Sequence, residues 1–175
     1  MSELPDQADP DFAELSARVY RLCLAMLGNE VDARDAAQES FARAWSQRRR
    51  KRDTVSWWTW LGGFAVRVCR EARRRSSLSL SVVEALPEPR AASSVRETGQ
   101  ADQPVTAALR EAVMSLPDRQ REVTVLRLLI GLSTQETAQM LGCPPGTVKS
   151  NLFKAVVNLK AQVFCSEKVD ELHGV

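Results

Sequence analysis

The chain has 175 residues, 44% apolar and 26% charged, an ordinary globular balance in a length that suits one or two small domains. Its 24 Lys and Arg against 22 Asp and Glu leave a net charge of only +2, but residues 1–42 carry nine acids and three bases while residues 43–75 carry eleven bases and two acids. No apolar run approaches the roughly 20 residues of a membrane span, and the acidic start, residues 1–14, lacks the apolar core of a secretory signal, so a cytoplasmic location without membrane insertion is expected.

In chain order, an acidic tail (residues 1–11) leads into helical periodicity. Phe12, Leu15, Val19, Leu22 and Met26 recur at spacings of three and four and predict an amphipathic helix that ends near Gly28. Val31, Ala37, Phe41, Ala44 and Trp45 mark a second helix, with Asp32 and Asp35 near its N-terminus, where the helix dipole favours acids. Residues 46–56 break the pattern and contain five consecutive basic residues, Arg48, Arg49, Arg50, Lys51 and Arg52. A third helix is expected from Trp57 to about Arg75, with Leu61, Phe64, Ala65, Val68 and Ala72 on its apolar face.

Residues 77–103 turn rich in Ser, Pro, Ala and Glu. They read as a linker too long for an internal loop, which predicts two helical domains, 12–76 and 104–165, able to move relative to one another. In the second, Val105, Leu109, Val113 and Leu116 form one stripe. Pro117 opens a helix carrying Val123, Leu126, Leu129 and Ile130, which stops at Gly131. Ser133 and Glu136 fit the capping box of a short helix that ends at Gly142. Pro145 suits the first turn of a last helix with a stripe of Val148, Leu152, Ala155, Val156, Leu159 and Val163. Residues 166–175 form a C-terminal tail. The fold class is all-α, with no run of alternating apolar residues that predicts a strand.

Catalytic and metal chemistry find little support. Cys23, Cys69, Cys143 and Cys165 are widely spaced, and His173 is the only histidine. Neither a zinc site nor a Ser-His-Asp or Cys-His engine is expected, and no phosphate-binding glycine motif is present. The cysteines read as small buried apolar residues, with a redox role left open. No cofactor, metal ligand or catalytic residue is assigned, and the chain is not expected to be an enzyme.

Two surfaces point to nucleic acid. The short helix, the tight segment 142–146 and the last helix have the form of a helix-turn-helix, whose second helix enters the major groove. The buried stripe leaves Lys149, Ser150, Asn151, Phe153 and Lys154 facing outward: lysines for phosphates or guanine, Ser and Asn for base edges, Phe for a thymine methyl. Pro144 and Thr147 flank them at the turn. On the third helix, Arg67, Arg70 and Arg74 fall within about 60° of one another at 100° per residue. Trp57, Trp58 and Trp60 and the basic run with Arg48 and Arg49 lie just upstream. Arginines grip a phosphate backbone while tryptophans stack on unpaired bases, a combination suited to single-stranded or opening DNA. The competing reading puts one or two of these rings in the core and leaves the arginines solvated.

The segment from Asp35 through Gln38, Glu39, Phe41 and Arg43 to Trp45 resembles the region 2 core-binding signature of the extracytoplasmic-function (ECF) sigma factors. The segment 116–123, with Leu116, Arg119, Gln120, Arg121 and Glu122, resembles their region 4, as do residues 131–133 and 146–150. The resemblance implies a protein that binds core RNA polymerase through Asp35, Gln38, Glu39, Phe41 and Trp45. It implies that the third helix and its preceding loop open the −10 element, that the last helix reads the −35 element as duplex, and that an anti-sigma factor controls the protein. The chain departs from the family's usual pattern in four places. Asn151 stands where a basic residue is usual, Ala155, Val156 and Val157 replace more basic residues, Gly62 and Gly63 replace larger helix formers, and the run 48–52 is more basic than usual. The alternative functions are a stand-alone helix-turn-helix repressor or activator, which leaves the first domain's surfaces unexplained, and a nucleic-acid-processing enzyme, which lacks an acidic metal cluster.

Overall fold

The computed structural model describes residues 11–83 and 104–172, and among them every regular element is helical. The first three helices, α1 (Phe12–Leu27), α2 (Glu30–Ser46) and α3 (Trp57–Val83), pack mutually, with a short 3₁₀ turn, Arg48–Arg50, after α2. The second segment holds α4 (Pro104–Ser115), α5 (Asp118–Thr124), α6 (Thr134–Leu141) and α7 (Pro145–Leu172), and α5 runs into a π-helical turn, Val125–Leu129. Helix α3 extends beyond the boundary expected at residue 76, and α7 runs through most of the expected tail. The rest of the linker, 84–103, and the acidic residues 1–10 lie outside the described residues, as does the side chain of Val163.

The helix ends follow local chemistry. Asp11 accepts from the amides of Ala13 and Glu14 at the start of α1, and Gly28 closes that helix at φ 78°, the left-handed conformation glycine adopts without penalty. The capping box forms as expected: Ser133 Oγ accepts from the Glu136 amide at 3.2 Å, and Glu136 accepts from the Ser133 amide at 2.7 Å. Those bonds hold the Glu136 carboxyl below its ordinary range, and a cap of this kind contributes about 1 kcal/mol.

Helix α2 differs from the expected pattern. Val31 and Trp45 are exposed, at 67% and 55%, and the buried face is Ala33, Ala36, Ala37, Ser40 and Ala44. Their spacing is helical, but the residues are small, so α1 and α3 close on α2 at short range while its large side chains turn outward. Ser40 satisfies its buried hydroxyl by donating to the Ala36 carbonyl at 2.5 Å. Phe12, Leu109 and Leu129, also assigned to apolar stripes, are about half exposed.

The two segments share one core. Val113, Val125, Leu126, Leu132 and Met140 belong to the same buried cluster as Leu15, Leu22, Phe64 and Val68. Helix α3 is consequently buried on more than one side: Val66 and Cys69 are as inaccessible as the expected Leu61 and Ala65. Gly62 and Gly63 explain the close approach. A Cβ on Gly62 would fall 2.5 Å from Met140 Cε, and one on Gly63 would fall 3.2 Å from the Met140 carbonyl oxygen. The two helical segments expected on either side of the linker are both present. The segments are docked, with α6 seated on the glycine pair.

Candidate nucleic-acid interface

Helix α6 ends at Gly142, φ 63°, where the amides of Gly142 and Cys143 donate to the carbonyls of Gln139 and Ala138 at 3.3 and 3.0 Å. This paired closure turns the chain within three residues and starts α7 at Pro145. Val148 and Ala155, both fully buried, fix which side of α7 faces the core. Pro144, Thr147, Lys149, Ser150, Phe153 and Lys154 are exposed on the other side, and Phe153 is 73% accessible. Ser150 Oγ and Asn151 Nδ2 both donate to the Thr147 carbonyl, at 3.1 and 2.8 Å. Asn151 is half-buried and held against the helix, so it stands back from the surface that Lys149 and Lys154 form.

The aromatic and basic residues around α3 divide by burial. Trp58 is a core ring, 9% exposed, with the Arg18 guanidinium 4.3 Å above it. Trp60 is half-buried edge-on to Phe64 at 5.1 Å. Trp57 is half-buried between Phe12, 6.5 Å away, and the Lys51 ammonium at 5.0 Å. Arg48 lies over the exposed ring of Trp45 at 4.6 Å, and Arg48 and Arg49 are exposed. Arg67 and Arg74 are exposed on α3, whereas Arg70 reaches across to the second segment. Arg70 Nε and Nη2 donate to both oxygens of the buried Glu122 carboxylate at 2.7 and 2.8 Å. The bond to Glu122 raises the Arg70 pKa.

Helix α2 carries two distinct exposed faces. Asp32, Asp35 and Glu39 line an open groove against Arg43, Val68 and Arg75. Arg43 bridges Glu39 and Glu71, each at 2.7 Å, and these bonds raise its pKa. Phe41 and Trp45 line a separate apolar groove with Phe12 and Ala42, and Gln38 is exposed on the same helix. Among the described residues, no group of three or more His, Cys, Asp or Glu could hold a metal ion, and no helix is long and apolar enough to cross a membrane.

Comparison with known proteins decides the family. The sigma-70 region 2 pattern matches residues 12–78 and the sigma-70 region 4 pattern matches residues 106–159. An RNA polymerase sigma-E factor of Streptomyces antibioticus is 32% identical over 138 residues, covering 79% of this chain and 74% of the relative. The ECF sigma-E factor of Salmonella typhimurium is 31% identical over 133 residues, 71% of this chain and 70% of its own. The chain belongs to the ECF sigma factors of the sigma-70 family. SigW of Bacillus subtilis, an ECF sigma factor, is 28% identical over 155 residues, 83% of each chain. The fold agrees with two solved structures: the sigma factor RpoE of Bartonella quintana in complex with the anti-sigma factor NepR (TM-score 0.69, 17% identity, 87% of this chain and 94% of that one), and CnrH in complex with the cytosolic domain of CnrY (TM-score 0.61, 21% identity, 87% and 84%). As an RNA polymerase sigma factor, the protein acts in transcription initiation.

Two features of this sigma factor escape the sequence pattern. Arg121, within the region 4 motif, is 2% exposed and donates to the carbonyls of Val113, Met114 and Leu116. It closes the C-terminal end of α4, and burial pushes its pKa down to about 10. The second feature concerns the apolar run 155–157: Ala155 is fully buried, Val156 half-buried, and Val157 49% exposed. A cation can be placed at 157 but not at 155. Ala155→Arg is expected to cost about 3 kcal/mol or more, while Val157→Arg stays within about 0.5 kcal/mol, as measured by chemical denaturation.

Proposed function

We propose that α7 of this sigma factor reads the −35 element through Lys149, Ser150, Phe153 and Lys154, with Pro144, Thr147 and Asn151 shaping the entry to the groove. The observation that carries this reading is Phe153, 73% exposed between two lysines at the start of the second helix of a helix-turn-helix. A large aromatic ring left in water beside two cations suits a groove that offers thymine methyls and phosphates. The −10 element is gripped by Arg48, Arg49, Arg67, Arg70 and Arg74, and Trp57 supplies the ring that stacks on a displaced base. Trp60 borders that surface, and Trp58 supports it from the core. Core polymerase docks on α2 through the acidic groove of Asp35 and Glu39 and the neighbouring Gln38, Phe41 and Trp45. The protein works in the cytoplasm, where its polymerase is, and contributes binding rather than catalysis of its own. An anti-sigma factor controls it; the relatives of similar fold are held by NepR and CnrY in their complexes.

Run-off transcription with purified core polymerase and footprinting of a cognate promoter test this assignment. Lys154→Ala should weaken binding across sequences and reduce the salt slope by about one phosphate contact. Ser150→Ala should instead alter preference at particular bases, by about 1–3 kcal/mol per lost bidentate contact. Asn151→Arg should tighten binding by adding a cation at the family's usual position. Unchanged −35 protection across this series, with the fold retained, removes α7 from the assignment.

At the −10 element, Trp57→Ala should abolish permanganate reactivity of promoter thymines with little loss of stability. Trp58→Ala should cost about 3–5 kcal/mol of stability. Parallel losses of opening and stability in both variants would make both rings structural.

For the polymerase surface, the pair Asp35→Ala and Glu39→Ala should weaken capture by core polymerase while leaving the circular dichroism spectrum unchanged. Equal capture would exclude the acidic groove.

A further inference from the structure

We propose that residues 48–52 form a clamp for duplex DNA, a sequence-independent phosphate site that holds the double helix bordering the −10 element. For its place at the promoter the inference rests on the −10 assignment of α3; the binding of duplex as such does not.

The run is built into the fold. The Arg50 amide donates to the Gln47 carbonyl at 2.8 Å and the Lys51 amide to the Arg48 carbonyl at 3.1 Å, which closes the 3₁₀ turn. The Val55 amide then donates to the Arg52 carbonyl at 3.0 Å. Aromatic rings hold the turn from both sides. The Arg48 guanidinium lies 4.6 Å from the Trp45 ring centre, and its Nη1 donates to the Trp45 carbonyl at 3.0 Å. The Lys51 ammonium sits 5.0 Å from the Trp57 ring. Two cations thus act as anchors, and Arg49, Arg50 and Arg52 are left exposed. Five like charges in a row repel one another, and a backbone held in a tight turn keeps them close. The surrounding chain offers little to offset this. Residues 43–75 carry eleven bases against two acids, Asp53 and Glu71, and Glu71 is bonded to Arg43 at 2.7 Å. A polyanion supplies the missing charge.

The geometry favours a double helix. A 3₁₀ turn has three residues per turn and rises about 2 Å per residue, so Arg49 and Arg50 leave the backbone in different directions. Diverging donors do not meet on one base edge. Phosphates, by contrast, recur along both strands of a duplex, one charge per about 1.7 Å of axis, and the planar fork of arginine fits two oxygens of each. Single strands are held chiefly by rings on which bases stack, and the rings beside this run are engaged by Arg48 and Lys51, not by the exposed arginines. Contacts of this kind give affinity without sequence preference and speed the approach to DNA. The clamp adds to α3 and α7 a third hold on the promoter, one set by salt rather than by sequence. It also gives a use to the run in which the chain departs from the usual loop of its family.

The test uses the full-length protein without polymerase. Fluorescence anisotropy reads binding to a fluorescein-labelled duplex of scrambled sequence, about 30 base pairs long, between about 50 and 200 mM salt. One strand of the same sequence is measured beside it. The pair Arg50→Gln and Arg52→Gln removes two exposed cations of the run. The pair Arg21→Gln and Arg34→Gln removes two exposed cations of α1 and α2 and controls for net charge. Circular dichroism confirms helix content for each. The expected result for the first pair is about tenfold weaker duplex binding and a salt slope lower by about two phosphate contacts, with a smaller change on the single strand. The control pair should leave the slope as it is. An unchanged slope in the first pair, or an equal fall in the control, overturns the clamp. A single-strand loss as large as the duplex loss also overturns it and assigns the run to the −10 strand. Weakened capture by core polymerase with an unchanged slope makes the run a protein contact and overturns the clamp as well. Failure of the −10 assignment reads differently: Trp57→Ala then leaves permanganate reactivity intact, while the duplex slope still falls in the first pair.

Discussion

The arrangement of this sigma factor depends on how closely α6 approaches α3. Two successive glycines on α3 leave the helix backbone open to Met140, and that proximity carries Leu126, Leu132 and Val113 into the core of the first three helices. The Arg70–Glu122 pair sits at the edge of this contact. A buried ion pair is weak evidence for net stability, since desolvating both charges offsets most of their attraction. Apolar burial therefore supplies the docking energy, and the pair fixes orientation. Removing one partner alone leaves a buried charge without compensation, a change that typically costs about 3–5 kcal/mol.

The same economy of small residues shapes the outer side of α2. Helix α2 buries alanines and one serine, so its large side chains are free to face outward. Trp45 and Phe41 form an apolar groove with Phe12, while Asp32, Asp35 and Glu39 form an acidic one a third of a turn away. A helix that buried its tryptophan would have no such surface. Packing by small residues and exposure of large ones are two consequences of one pattern.

Buried charge within the second segment serves architecture. Arg121 and Glu122 are adjacent, both almost inaccessible, and they point to opposite tasks. Arg121 donates to three carbonyls at and just past the C-terminal end of α4, and Glu122 reaches out to α3. Helix α7 is tied to the same unit by Asn158 donating to Gln120 at 2.7 Å and by Ser115 donating to Gln162 at 3.0 Å. These polar ties leave the first turns of α7, with Lys149, Phe153 and Lys154, at the surface.

Local chemistry alone determined a large part of this protein. The helix limits at Gly28 and Gly142, the Ser133–Glu136 box and the start of α7 at Pro145 were legible because caps, glycines and prolines act within a few residues. The exposed face of α7 was legible because Val148 and Ala155 are fixed by the helical period. Three things were not. The buried face of α2 was legible only in part: Ala37 and Ala44 lie on it as expected, but alanine carries little hydropathy beside Val31 and Trp45, which face outward. The ranking of Trp57, Trp58 and Trp60 needed the neighbours that cover each ring. The docking of the two segments was the least accessible, although Gly62 and Gly63 marked its site. What a glycine pair lets in is decided by a residue some 78 positions away, Met140, and what Arg70 holds is decided by Glu122. Those pairings come from tertiary contact, where burial and charge compensation act across the chain and no local pattern records them.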